Sequence, residues 1–425
     1  MRTKSVDRSC AGVSRRTLLG GAAVGNLAGL GIMPGLGATG LAFAADSGYT
    51  GDTVIVLSLR GGFDGLNAIV PAFDPAYALA RPGIGVPASA LVPLDGRFGL
   101  HPALAPLKPL WNAGTFAAVQ AVGQSDPTRS HFAAMEEMER AAPGSSLRTG
   151  WLDRTMGLTG AGTAFAGAQV GQSMAAPAFA GPQAKMTLSS VSDFRMYSAW
   201  DAAEGLRWKT ALTAMHVGRP ELTAGPARTA LAALSTVDTL RTTPYLPAGG
   251  AQYPEGDLGP ALRDVAQLIK ADVGLRVAAV DFGDWDMHAD LGSHDDAYGW
   301  QYRKLSEVAR SLAAFAADLG PRLGGVTVVT LSEFGRRVYE NGSGGVDHGH
   351  GNAVLLLGGG GGVVGGRVYG RWPGLAEADL TDGDLAGTTD YRTVFAEVLE
   401  RRCGVTASTV FPGLGSERLG AFRSR

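Results

Sequence analysis

The chain has 425 residues, of which 45% are hydrophobic and 18% are charged, and its formal net charge at pH 7 is −2. Charges of both signs are interspersed and nearly balanced, so the composition gives no sign of a nucleic-acid partner. A chain of this length can bury a large core in one large domain or two smaller ones. Glycine is abundant, at 63 residues, which predicts many tight turns.

The first 44 residues are interpreted as an export signal rather than as part of the fold. A twin-arginine pair at 15–16 precedes a weakly apolar, glycine-rich stretch, and the small-x-small sequence at 42–44 fits a cleavage site. The alternative is a membrane anchor, which the glycines between 29 and 40 disfavour. We therefore expect export by the twin-arginine translocase, no stable membrane anchor, a periplasmic or extracellular location and a mature domain over 45–425.

Apolar runs alternate with helical patterns along the mature chain. The predicted strands are Thr53–Leu59, Thr115–Val122, Arg276–Phe282, Val326–Leu331 and Ala353–Leu357. The predicted helices are Phe132–Ala142, Ala227–Arg241, Ala261–Val273, Tyr302–Leu319 and Tyr391–Arg402. The apolar runs are continuous rather than alternating, as expected for strands that helices cover on both faces. The sequence therefore predicts an α/β fold with a mostly parallel central sheet flanked by helices.

Residues 149–253 differ from the rest of the mature chain. Their periodicity is weaker, and they are rich in Ala, Gly and Pro. We interpret them as an inserted cap segment that determines substrate specificity, rather than as a second independent domain.

Polar residues follow the first two predicted strands. Asp64 comes after two glycines that let the backbone turn tightly, so its carboxylate lies where a metal or phosphate would bind, unless it is a plain turn residue. Ser130 lies in the first turn of the next helix, where backbone amides and the helix dipole favour an anion. Its hydroxyl either caps this helix or, activated by a metal, acts as a nucleophile.

Denser polar clusters follow the third and fourth predicted strands. Residues 281–288 hold three carboxylates and a histidine, and carboxylates this close repel one another unless a cation or proton lies between them. Glu333 follows the fourth strand, and Asp347 lies in the next loop. Four of the seven histidines belong to these clusters: His131, His288, His348 and His350. Such side chains predict a divalent metal site, for zinc, manganese, calcium or iron.

These motifs, in this order, resemble a family of exported bacterial proteins known as domain of unknown function 1501. The resemblance rests on Arg-Gly-Gly-x-Asp-Gly-Leu-Asn at 60–67, Arg-Ser-His-Phe at 129–132, Gly-x-Trp-Asp-x-His at 283–288, Ser-Glu-Phe-Gly-Arg at 332–336, Asp-His-Gly at 347–349 and Gly-Gly-Arg-Val-Tyr-Gly at 365–370. The family has no established reaction. It is similar in turn to the alkaline phosphatase and sulfatase superfamily, whose members hold two metals at the carboxyl ends of a parallel sheet.

The superfamily resemblance implies roles for individual residues. The implied metal ligands are Asp64, Asp286, His288, Glu333, Asp347 and His348. The implied catalytic residues are Ser130 as the nucleophile, with Arg129 or Arg336 on the equatorial oxygens. The implied reaction is displacement at phosphorus or sulfur through a covalent seryl intermediate. The superfamily's Asp-His pair after the fourth strand is Ser-Glu here, so one imidazole ligand is absent from its usual place.

The sequence thus predicts an exported, metal-dependent hydrolase of a phosphate or sulfate ester carried on a small molecule or a polymer. The absent imidazole motivates an alternative, a non-catalytic scaffold that acts as a binding or assembly factor for a secreted polymer or envelope complex. A transferase using the same site with an alcohol acceptor is the third hypothesis.

Overall fold

The computed structural model describes residues 49–160, 162–196 and 201–425. The predicted export signal lies outside this part of the chain. Across the described ranges, no helix combines the length and the apolar character that crossing a membrane requires.

Strands and helices alternate over most of the described chain. The strands are β1 (Thr53–Leu59), β2 (Ile69–Val70), β3 (Val92–Pro93), β4 (Gly99–Leu100), β5 (Phe116–Gly123), β6 (Gly167–Val170), β7 (Met186–Leu188), β8 (Val277–Phe282), β9 (Val326–Leu331), β10 (Asn352–Gly358), β11 (Val368–Tyr369) and β12 (Thr389–Asp390). The helices are α1 (Gly65–Ala68), α2 (Pro75–Ala80), α3 (Lys108–Asn112), α4 (His131–Arg140), α5 (Trp151–Leu158), α6 (Ala202–His216), α7 (Glu221–Thr242), α8 (Leu258–Lys270), α9 (Trp300–Leu319), α10 (Tyr391–Arg402) and α11 (Ala407–Val410). Short 3-10 helices cover Ala88–Ala90, Pro102–Leu107, Pro177–Phe179, Gly320–Gly325 and Glu377–Asp379.

The central sheet has the strand order β11-β5-β10-β9-β1-β8-β6-β7, and β12 also pairs with β5. Strand β1 lies in the middle and runs parallel to both of its neighbours, β8 and β9. Strand β10 is antiparallel to β5 and β9, whereas the other pairings in this sheet are parallel. The predicted α/β fold with a mostly parallel sheet is confirmed.

Helices cover both faces of the sheet, which explains why its strands are apolar throughout. Ile55 and Leu57 of β1 pack in one cluster with residues of α8 and α9. Val54 and Val56, which point the other way, pack in a second cluster with residues of α10. Each fully buried aliphatic side chain of this kind contributes roughly 1.5–3 kcal/mol to stability.

The segment predicted to be a cap, 149–253, has three parts in the structure. Helix α5 packs in the second core cluster through Trp151, Leu152 and Met156. Strands β6 and β7 extend the central sheet beyond β8. Helices α6 and α7 lie outside the sheet, and an ion pair between Lys209 and Asp238 connects them. That this helical pair acts as a cap stays a prediction.

Three loops meet at one edge of the sheet, because β1, β8 and β9 run parallel and end there. These loops are 60–64, 283–288 and 332–336. Gly61 has a φ of 115°, and a Cβ atom on it would lie 2.7 Å from the backbone nitrogen of Asp286. Glycine therefore permits the first loop to approach the second so closely.

Candidate metal centre

Three imidazole rings surround one carboxylate at this edge of the sheet. Oδ1 of Asp286 lies 2.9 Å from Nε2 of His348 and 3.0 Å from Nε2 of His288, and Oδ2 lies 3.4 Å from Nε2 of His131. Nε2 of His348 also lies 2.9 Å from Nε2 of His288 and 3.1 Å from Nε2 of His131. Four potential ligand groups thus converge on one small region. They come from the start of α4, the loop after β8 and the loop before β10.

The other ring nitrogen of each histidine faces a hydrogen-bond acceptor. The Nδ1 pairs are His131 with Glu333 Oε1 (2.8 Å), His288 with Asp347 Oδ1 (2.7 Å) and His348 with the Arg129 carbonyl oxygen (2.9 Å). Because these acceptors require a proton on Nδ1, the neutral rings carry none on Nε2. The Nε2 lone pair of His348 therefore faces those of His131 and His288, and all three lie close to the Asp286 carboxylate.

This arrangement fits a divalent metal ion. Lone pairs and a carboxylate at such spacing repel one another unless a cation lies between them. A metal–nitrogen distance of about 2.0 Å places the ligand atoms of a tetrahedral site about 3.3 Å apart. The spacings given above, from 2.9 to 3.4 Å, are close to that value, and ligand atoms of His131, Asp286 and His348 all lie within 4.8 Å of one another. Hydrogen bonds from Nδ1 to a carboxylate or a carbonyl are also the usual support of metal-bound histidines.

Arg336 holds the Asp286 carboxylate in place. Its Nη2 lies 2.7 Å from Asp286 Oδ1. The same guanidinium donates to the carbonyl oxygens of Gly61, Gly62, Trp285 and Val346. Burial alone would raise the pKa of Asp286, but the hydrogen bond and the positive charge of Arg336 outweigh it and keep that pKa well below its usual value. With a side chain only 1% exposed, Arg336 supports the cluster from within.

Glu333 and Asp347 lie behind the histidines, on the side away from Asp286. Glu333 is buried and also accepts hydrogen bonds from the Gly61 amide at 2.8 Å and from Ser332 Oγ at 3.2 Å. Asp347 accepts from Asn341 Nδ2 at 3.2 Å. The hydrogen bond from His288 lowers the pKa of Asp347. Both carboxylates orient imidazole rings in this structure, and their role as direct metal ligands stays a prediction.

Asp64 is engaged in a different network. Its Oδ2 accepts from Arg81 Nη1 at 2.7 Å and from Gln301 Nε2 at 3.1 Å, and both Asp64 and Arg81 are buried. Within the described part of the chain, this carboxylate thus forms an internal ion pair with Arg81. The predicted ligand role of Asp64 stays a prediction.

Ser130 is the N-cap of α4, immediately before His131. Its Oγ accepts from the Ala133 amide at 3.5 Å, and the residue is exposed. The preceding residue, Arg129, turns its partly exposed guanidinium to Asp384. The capping alternative for Ser130 is therefore present in the structure, and its catalytic role stays a prediction.

His131 is the member of the centre that the sequence analysis did not name as a ligand. The available signal was its place in the Arg-Ser-His-Phe motif, two residues after the carbonyl that orients His348. His350, the other histidine of the last cluster, instead contacts the carbonyl oxygen of Gln124 at 3.0 Å.

Fold and site together define an α/β protein with a candidate metal centre at the carboxyl ends of its strands. Residues 263–410 match the family described as "Protein of unknown function (DUF1501)", which confirms the predicted resemblance. Asp286, His288 and His348 lie in the matched range, whereas His131 precedes it. No curated protein matches the chain.

Several solved structures align with the chain at low similarity. The C-terminal periplasmic domain of EptC from Escherichia coli, in complex with Zn, aligns with a TM-score of 0.32 and 9% identity over 76% of this chain and 77% of that one. The PsFucS1 sulfatase from Pseudoalteromonas sp. aligns with a TM-score of 0.32 and 12% identity, over 75% of this chain and 64% of the sulfatase chain. Alkaline phosphatase from the Antarctic bacterium TAB5 aligns with a TM-score of 0.25 and 10% identity, over 73% of this chain and 92% of the phosphatase chain. These TM-scores are too low to assign any residue of the site.

Proposed function

We propose that the protein is a metal-dependent hydrolase of a phosphate or sulfate ester. The observation that carries this proposal is the convergence of three Nε2 lone pairs on Asp286 while each Nδ1 is held by an acceptor. A divalent cation bound there polarises an ester oxygen and favours attack by water or a hydroxyl group. The imidazole-rich set suits zinc or iron better than calcium.

The exposure of the centre supports catalysis over a purely structural role. The side chains of Asp286 and His288 are 48% and 44% exposed. Structural zinc sites are closed by protein ligands, whereas catalytic sites keep one position accessible to water or substrate. A substrate can therefore reach this centre, which favours the hydrolase over the scaffold alternative.

Ser130 is the proposed nucleophile. Its hydroxyl is exposed and directly precedes His131 in the chain. Attack of Oγ on phosphorus or sulfur would form a seryl ester and release the alcohol, which takes up a proton. Water would then cleave the seryl ester and restore the hydroxyl. We also propose that the protein acts outside the cytoplasm, since the twin-arginine pair at 15–16 is typical of exported chains.

The metal-dependent part of this proposal is tested with purified protein, loaded in turn with zinc, manganese or iron. We expect about one metal ion per chain by mass spectrometry and turnover of p-nitrophenyl phosphate, its diester or the sulfate. His288→Ala removes a proposed ligand and should lose both the bound metal and the turnover. His216→Ala, at the end of α6, should retain both. Folded, metal-supplemented wild-type protein that holds no metal, or that holds metal and cleaves no ester, would favour the scaffold.

The nucleophile is tested by two substitutions that separate capping from catalysis. Ser130→Asn keeps a good N-cap but cannot form a seryl ester, and Ser130→Ala removes the cap at a cost of about 1 kcal/mol. We expect both variants to lose turnover and retain metal, with only Ser130→Ala less stable. Wild-type turnover in Ser130→Asn would exclude the covalent route and leave direct attack by water.

A further inference from the structure

Two arginines beside the metal centre share one buried carboxylate. Nε and Nη2 of Arg129 lie 3.1 and 2.6 Å from Asp384 Oδ2, and Nε of Arg337 lies 3.6 Å from Oδ1 of the same residue. Nη2 of each arginine also donates to the carbonyl oxygen of Asp382, at 3.1 and 3.3 Å. The two guanidinium groups therefore lie side by side.

A tight turn presents these acceptors to both arginines. Thr381 and Asp384 exchange two main-chain hydrogen bonds of 2.9 Å. The two residues between them, Asp382 and Gly383, have φ values of 53° and 81°. Positive φ at both central positions is typical of a type I′ hairpin turn, for which Asp-Gly is a favoured sequence. The Asp384 carboxylate is thereby fixed beneath the arginines and is 4% exposed.

Both arginines are connected to the metal centre through main-chain hydrogen bonds. The carbonyl oxygen of Arg129 accepts from His348 Nδ1 at 2.9 Å. The amide of Arg337 donates to the carbonyl oxygen of Asp347 at 2.9 Å. The residue before Arg337, Arg336, forms an antiparallel bridge with His348. The arginine pair therefore extends from the same backbone segments that hold the metal centre and is not a distant surface patch.

We propose that Arg129 and Arg337 form the subsite that binds the charged oxygens of the substrate's phosphate or sulfate group. Their side chains are 42% and 39% exposed, and within the described residues the Nη1 group of each makes no hydrogen bond. A guanidinium is suited to such oxygens because it offers several donors in one plane. The role that the sequence suggested for Arg336 passes to its neighbour Arg337, and Asp384 positions the pair. This inference rests on the proposed function.

The test measures binding of inorganic phosphate and inorganic sulfate by calorimetry, with zinc-loaded protein. Arg129→Gln/Arg337→Gln should weaken anion binding by about tenfold or more, because the variant loses the charge-assisted hydrogen bonds of both guanidinium groups. The zinc content of this double variant should stay at the wild-type level, because the backbone carbonyl oxygen of residue 129 still accepts the hydrogen bond from His348 Nδ1. Arg322→Gln, which breaks an exposed pair with Asp272, is the matched control and should bind both anions normally.

The outcomes separate this subsite from the hydrolase proposal. Unchanged anion binding in the double variant, or no anion binding by the wild type, overturns the subsite. Loss of zinc from the folded double variant also overturns it, because the arginines would then be structural. Wild-type protein that binds phosphate through this pair but cleaves no ester keeps the subsite and rejects the hydrolase. Ester turnover with an unchanged KM in the double variant would reject the subsite and keep the hydrolase proposal. The tighter-bound anion identifies the ester class.

Discussion

For single residues, the decisive property is which ring nitrogen of each histidine carries the proton. Oε1 of Glu333 lies 2.8 Å from Nδ1 of His131 and also accepts a hydrogen bond from the Gly61 amide. Glu333 therefore holds both the imidazole ring of His131 and the loop after β1 in place. An ionised carboxylate can only accept hydrogen bonds. It therefore selects the tautomer of His131 that carries its proton on Nδ1 and leaves Nε2 able to bind a metal.

Glu333→Gln tests this dependence. The amide is nearly the same size as the carboxylate, but it can turn an NH2 group toward His131 and favour the wrong tautomer. We expect metal affinity to fall by about 10- to 100-fold, as is usual when the hydrogen-bond partner of a metal-bound histidine is lost. Titration of the metal-free protein with zinc measures the change. An affinity equal to that of the wild type would contradict the orienting role.

Asp64→Asn should behave in the opposite way. It leaves the buried Arg81 without its charged partner, so the free energy of unfolding should fall by about 3–5 kcal/mol. The zinc content of the folded variant should be unchanged, because the contacts of Asp64 are with Arg81 and Gln301. Denaturant unfolding and elemental analysis give the two quantities. Loss of zinc from folded Asp64→Asn would restore the ligand role that the sequence suggested.

The sequence indicated the region of the candidate site, whereas the ligand roles of Glu333 and Asp347 stay predictions. Asp286, His288 and His348 were predicted as ligands and do come together. Glu333 and Asp347 were predicted as ligands too, yet each faces a histidine Nδ1. Residue type cannot distinguish a ligand from its hydrogen-bond partner, because both are carboxylates near imidazoles. That distinction depends on side-chain directions which only the fold determines.

For whole elements, the apolar runs predicted the long strands and helices well. All five predicted strands and five predicted helices are present, with modest shifts at their ends. A run that is buried on both faces has the same pattern in either direction, so the antiparallel orientation of β10 could not be deduced. Strands β6 and β7 have four and three residues, too few for a recognisable pattern.

Asp318, at the end of α9, connects several elements and gives a prediction about pH. Its carboxylate accepts from Tyr245 at 2.7 Å, from Tyr253 at 2.8 Å and from Lys270 of α8. Burial alone would raise its pKa, but these hydrogen bonds outweigh burial and lower that pKa. A carboxylate with a lowered folded-state pKa stabilises the fold above its unfolded-state pKa of about 3.9. That stability is lost as pH falls through the folded-state pKa.

Asp318→Asn should therefore lower the free energy of unfolding by about 2–3 kcal/mol at pH 7. The difference from wild type should shrink below about pH 4, because there the carboxyl of the unfolded wild-type chain gains its proton before the carboxyl of the folded protein does. Asp272→Asn, in an exposed pair with Arg322, should change stability by less than about 1 kcal/mol at either pH. Urea unfolding across this pH range provides the comparison, and a constant deficit for Asp318→Asn would contradict the linkage.

For the molecule as a whole, the metal centre joins parts of the chain that are far apart in sequence. A metal bound by the folded form alone adds stability by mass action, about 2.7 kcal/mol at 100 times the Kd. We expect zinc to raise the melting temperature of the metal-free protein and a chelator to reverse the effect. His131→Ala should abolish the zinc-dependent rise. A melting temperature that zinc leaves unchanged, despite stoichiometric binding, would mean that the unfolded chain binds it equally well.

The position of the ligands along the chain has a consequence for the order of events in biogenesis. His131 and His348 are 217 residues apart, and Gly61 and Glu333, which support them, are separated by 272. Closing such long loops is slow compared with forming helices, so the donors assemble only after the strands have paired. We therefore expect the ion to enter a folded protein rather than to nucleate folding. Because proteins select among similar metals largely by availability, the compartment in which folding ends would determine which ion the centre carries.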